Sequence, residues 1–153
     1  METKIKSCWR DSLLIGVAKI DEQHKQLVQA IDELMDACLH RKGREVIEKT
    51  LNFALKYTKE HFKDEEKLQV KYEYPDLVEH MKLHAQFVEK VHEMQVDFDE
   101  NGPNVALTTI MNRTLSEWIV DHINLEDRKI GEYIREEDKR RAEEKDKMMN
   151  IMK

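Results

Sequence analysis

Proline and glycine are scarce, 2 and 4 in a chain of 153 residues. So few breakers leave little room for the frequent reversals of a strand-and-turn fold, and the many Glu, Lys and Leu residues favour long helices. Cysteine is rarer than glycine. Cys8 and Cys38 are too far apart for a C-x-x-C motif and too few for a disulfide framework, so both read as thiols in a reducing, cytoplasmic compartment. Net positive charge is missing as well. At −6, with a pI near 5.7, the chain has no nucleic-acid footprint. Nor is there a long apolar run: the main one near the start, residues 13–20, is too short to span a bilayer. The expectation is one soluble domain with no membrane span and no nucleic-acid partner.

What the chain does have is helical patterning. Residues 1–18 read as an arm, with Trp9, Leu13, Leu14 and Ile15 available to lie on a core. A first helix, beginning near Lys19 or Asp21, carries Ile20, His24, Leu27, Ile31, Leu34 and Cys38 at spacings of 4, 3, 4, 3 and 4, a seam of the kind that faces partners in a bundle. His40-Arg41-Lys42-Gly43 ends it. A second helix, from about Glu45 to about Lys71, has the seam Ile47, Leu51, Ala54, Thr58, His61, Glu65 and Leu68. Pro75 is expected to open a third, whose seam is Leu77, His80, His84, Phe87, Val91, Met94 and Phe98. Asn101-Gly102-Pro103-Asn104 is a stop and restart signal. The fourth helix, from near Val105, has one stripe of Met111, Leu115, Trp118, His122 and Leu125 and a neighbouring one of Ile123, Asp127, Ile130 and Ile134; Gly131 is expected to loosen its end. Residues 135–153 read as a charged tail, a solvated helix or frayed end. Four helices joined by short loops predict an all-α, up-down-up-down antiparallel four-helix bundle over residues 19–134.

Histidines and acids interrupt these apolar seams. A single histidine on an apolar face is more often a core residue with one hydrogen bond. The set argues otherwise: His24, His61, Glu65, His80, His84, His122 and an acid at 126 or 127 come from all four helices. Burying them together without a cation would cost many kcal/mol in desolvation. His40 and His92 lie off the seams and are expected to face solvent. Seven ligands exceed the roughly four that a zinc ion takes. They suit two ions sharing carboxylates, and imidazole with carboxylate suits iron. The ligand set is rich in neutral imidazole and contains no Glu-x-x-His among its seam residues. High-valent iron is less stabilised by such a set, so the site is expected to take O2 to the peroxide level and to return it. The acid that accompanies His122 has two readings. Glu126 has the i, i+4 spacing of the other pairs, whereas Asp127 is turned by about 140° from His122 on an ideal helix. Asp127 nevertheless lies on the apolar stripe of Ile123, Ile130 and Ile134, and its shorter side chain suits a position near the centre. Asp127 is the predicted bridge and Glu126 a peripheral residue.

The pattern His24; His61-x-x-x-Glu65; His80-x-x-x-His84; His122-x-x-x-x-Asp127 resembles that of hemerythrins, the bacterial members most of all. Trp9, Gly16-Val17, Ile20-Asp21, Gln23-His24, the Tyr72-x-Tyr74-Pro75 turn and Leu115-x-x-Trp118-x-x-x-His122-Ile123 extend the similarity over residues 9 to about 134. The resemblance implies two non-haem iron ions (Fe2+/Fe3+) with an oxo or hydroxo bridge and O2 as ligand. By it, His80, His84 and His122 hold one iron, His24 and His61 the other, and Glu65 and Asp127 bridge both. Leu68, Trp118 and Ile119 would help line the O2 pocket. The implied function is reversible O2 binding, as carrier, store or local supplier, rather than catalysis, with a protein partner for delivery left open. The alternatives are a di-iron oxidase, peroxidase or NO-consuming enzyme, and an O2 sensor. A sensor would need a signalling domain, for which the chain is expected to have no room.

Overall fold

A computed structural model describes residues 7–152. Residues 1–6 of the expected arm and Lys153 of the expected tail lie outside the described residues. The secondary structure among the described residues is entirely helical: a 3-10 turn at Asp11–Leu13, then α1 (Ala18–Leu39), α2 (Arg44–Lys71), α3 (Leu77–Asn101) and α4 (Val105–His122). A single π turn, Ile123–Asp127, carries α4 without a break into α5 (Arg128–Ile151). α4, the π turn and α5 therefore act as one long fourth helix.

α1 packs against α2 and α4, α2 against α3, and α3 against α4. With three short connections, that closes an antiparallel up-down-up-down four-helix bundle. The seams predicted from spacing form its core. Ile20, Leu27, Ile31 and Leu34 of α1 meet Ile47 and Leu51 of α2, Phe87, Val91 and Phe98 of α3, and Met111 and Leu115 of α4 in one buried cluster. Pro75 does not open α3. Residues 72–76 form the turn, with Glu73 at φ 54, and the helix starts at Leu77. Asn104 caps α4, its side chain accepting from the Leu107 N–H at 2.8 Å. No helix among the described residues is long and apolar enough to cross a membrane.

The π turn explains a second departure from the sequence expectation. Leu125, placed on the α4 stripe, is 59% exposed. A π turn closes its hydrogen bonds from residue i to i+5, and the Arg128 N–H donates to the Ile123 carbonyl in that way. The extra residue rotates the buried face, so Met111, Leu115, Ile119 and His122 hand over to Ile123, Asp127, Ile130 and Ile134.

Gly131 does not loosen the helix; it is buried within α5, and a Cβ there would collide with the backbone oxygen of Ile15. The arm is laid directly on the helix at this point. The Asp21 carboxylate accepts from the N–H groups of Ile15 at 2.7 Å and Gly16 at 3.1 Å, while the Arg135 guanidinium donates to the Ile15 carbonyl. Gly16 sits at φ +86, where a side chain would be strained and would strike Arg135. Leu13 and Ile15 are buried as expected, but Leu14 is 41% exposed. α5 then runs beyond the bundle, exposed through Met148, Met149 and Ile151, and is tied to the α2–α3 turn by the Tyr72 hydroxyl, which donates to Asp138 at 2.7 Å.

Candidate metal centre

The seven seam residues converge on one buried point in the bundle. His24, His61, Glu65, His80, His84, His122 and Asp127 are each at most 6% exposed. Four helices deliver them: α1 gives His24, α2 gives His61 and Glu65 one turn apart, α3 gives His80 and His84 one turn apart, and the fourth gives His122 and Asp127 across the π turn. Their ligand atoms fall into two groups, each within 4.8 Å: Glu65, His80, His84, His122 and Asp127, and His24, His61, Glu65 and Asp127. The two groups share both carboxylates.

Those carboxylates divide their oxygens between the groups. Glu65 Oε1 is 2.6 Å from His80 Nε2 and 3.4 Å from His84 Nε2, while Oε2 is 3.1 Å from His61 Nε2 and 3.7 Å from His24 Nε2. Asp127 Oδ1 is 3.1 Å from both His80 and His122, and Oδ2 is 2.9 Å from His24. Each carboxylate thus presents one oxygen to two histidines of one group and its other oxygen to the second group, both histidines for Glu65 and His24 for Asp127, as a carboxylate shared between two ions does.

The chemistry of the donors fits metal better than hydrogen bonding. Glu65 Oε2, both Asp127 oxygens and both His24 ring nitrogens are buried with no aligned hydrogen-bond partner among the described residues. His84 Nε2 and His122 Nε2 face each other at 3.1 Å. Outer contacts set these rings with their Nε2 lone pairs inward: His61 Nδ1 donates to Gln23 at 2.8 Å, and His84 Nδ1 donates to Glu66 at 3.1 Å. Phe62 stacks on His84 at 3.7 Å, and Trp118 stacks on His122 at 4.3 Å, fixing the planes of two rings.

Without metal, protons take the place of the cations. Burial disfavours charge on His24 and His80, but Asp127 and Glu65 beside them outweigh it and hold both rings up to about 9. Burial likewise opposes ionisation of Glu65, yet His24, His61, His80 and His84 hold its carboxyl well below the usual range. Burial and the Glu65 charge push Asp127 up, and His122 and His24 more than reverse this. The cluster is built for two anions and compensating positive charge.

Every predicted ligand lies in the cluster, including Asp127 at 1% exposure, whereas the Glu126 side chain is 35% exposed and near Lys129. His92 is exposed and His40, expected to face solvent, is half-buried against Asp36; neither joins the centre. Of the predicted pocket residues, Ile119 is buried, Trp118 covers His122, and Leu68 is half-buried between the main core and the Tyr74–Ile130–Ile134 cluster. Sequence reasoning missed Gln23 and Glu66 as partners of the histidines and Phe62 as a stacking plate. Adjacency to His24, Glu65 and His61 was the available signal.

The model of the hemerythrin HHE cation binding domain matches residues 15–134. A bacteriohemerythrin of Pseudomonas aeruginosa (strain PAO1) is 34% identical over 121 residues, covering 78% of this chain and 75% of that one. A myohemerythrin of Theromyzon tessulatum is 31% identical over 117 residues, covering 75% and 82%. A crystal structure of a mutant hemerythrin superposes with a TM-score of 0.74 at 27% identity, covering 84% of this chain and 96% of the other. With the family's domain model spanning the bundle and relatives above 30% identity over most of their length, this chain belongs to the hemerythrin family.

Proposed function

We propose that this chain binds O2 reversibly at a dinuclear non-haem iron centre, as a carrier, store or local supplier, and is not an enzyme. The carrying observation is the pair of histidine groups, three and two rings, that share Glu65 and Asp127. In this reading His80, His84 and His122 would hold one iron, His24 and His61 would hold the other, and Glu65 and Asp127 would be shared between them. Bound there, iron would supply the electrons for reversible O2 binding. The group of His24 and His61 offers one histidine fewer than the group of His80, His84 and His122, and O2 would bind on that side. Residues 19–134 carry the centre, and residues 1–18 and 135–153 flank it.

The protein's part is to hold the rings, exclude water and offer no competing acid. Trp118, Ile119 and Leu68 are assigned to the wall of the O2 pocket, Ile119 being 2% exposed. Beyond Glu65 and Asp127, the one buried carboxylate among the described residues is Asp21, and its oxygens are taken by the N–H groups of Ile15 and Gly16. The relatives named bacteriohemerythrin and myohemerythrin support the same reading. Metal analysis of protein produced with ample iron tests the centre. Two irons per chain are expected; one zinc per chain would overturn the reading.

A further inference from the structure

The two histidine groups differ in what stands behind them. His61 Nδ1 donates at 2.8 Å to the Gln23 amide oxygen, a neutral acceptor, and the amide nitrogen donates to Asp64 at 2.8 Å. His84 Nδ1 donates at 3.1 Å directly to a carboxylate, Glu66 Oε1. The other side of Glu66 faces a groove of about 590 Å³ between α2 and α3, which also reaches His84. A carboxylate behind an imidazole draws the N–H proton towards itself and makes the inner nitrogen a stronger donor, whereas an amide does so less. Stronger donation stabilises the higher oxidation state of the metal.

We propose that Glu66 is a positioning residue that acts through His84 to lower the reduction potential of the centre, with its influence falling on the three-histidine ion. The neutral Gln23 behind His61 leaves the two-histidine ion without that influence. Through His84, the charge of Glu66 sets how readily the reduced centre gives up electrons. This rests on the dinuclear iron reading above.

The test is a redox titration of the iron-loaded protein, with iron content measured on each sample. Glu66→Gln keeps a hydrogen-bond acceptor and removes the charge; its potential should rise by the equivalent of about tenfold in the equilibrium, 59 mV for one electron. Gln23→Glu adds the charge behind His61 and should lower the potential. A purely structural role for Glu66 would change iron content in Glu66→Ala but leave the potential of Glu66→Gln where it was. An unchanged potential in an iron-replete Glu66→Gln protein overturns the proposal. If Glu66→Gln loses its iron, the Gln23→Glu protein decides, and an unmoved potential there overturns it as well. Wild-type protein that takes up no iron would instead sink the underlying reading.

Discussion

Asp127 Oδ1 lies 3.1 Å from His122 Nε2 although the two residues are five apart on one helix. On a regular α-helix that spacing turns them by about 140°. The π turn at Ile123–Asp127 removes the misfit and brings both into the same gap, where Asp127 also reaches His24 and His80. Single π turns of this kind recur at functional sites.

Asp127→Ala should therefore lose at least one of the two irons proposed for the centre, whereas Glu126→Ala should leave iron content unchanged and stability within about 0.5 kcal/mol, as for surface changes. Iron analysis of the two purified variants checks this. Iron loss in Glu126→Ala with retention in Asp127→Ala would reverse the assignment.

Much of this site was legible in the sequence because its residues violate a pattern. His24, His61, Glu65, His80, His84 and His122 stand where heptad seams call for apolar side chains, and the bundle follows from the same seams. Asp127 was legible from the stripe of Ile123, Ile130 and Ile134, but regular helix geometry favours Glu126, because the π turn has no local signal: Ile-Asn-Leu-Glu-Asp suits an ordinary helix. The same turn misled the placement of Leu125. Gln23 and Glu66 sit beside ligands on half-polar faces, and only the packing of α1 on α2 and of α2 on α3 shows which ring each one holds.

Gly131 gives a stability test whose sign is informative. On a helix, Ala is favoured over Gly by about 1 kcal/mol. Here the added Cβ would meet the Ile15 backbone oxygen, which cannot rotate away, and overpacking costs about 1–3 kcal/mol. Gly131→Ala should thus melt at lower temperature and release the arm, read as faster proteolysis before Val17. A raised melting temperature would show that the arm does not pack there.

The metal-free protein should depend on pH in a definite direction. His24 and His80 are held up to about 9 against an ordinary value of 6.5. Their contribution to stability is fully present below 6.5 and is lost as pH rises through about 9. The melting temperature of metal-free protein should fall over that interval. Ligating imidazoles are neutral, so Fe(II) uptake at pH 7 should release protons, detectable with an indicator dye in weak buffer. A metal-free melting temperature that rises from pH 6.5 to 9, or uptake with no proton release, would contradict the charge balance described for the cluster.

A cluster of five imidazoles and two shared carboxylates is proposed to return the O2 it takes. The direct measurement is the optical spectrum of the reduced, iron-loaded protein through repeated cycles of air and argon. A charge-transfer band should appear in air and fade under argon with no reductant added, over several cycles. A band that persists under argon, or O2 consumption that continues only while reductant and a substrate are supplied, would contradict it.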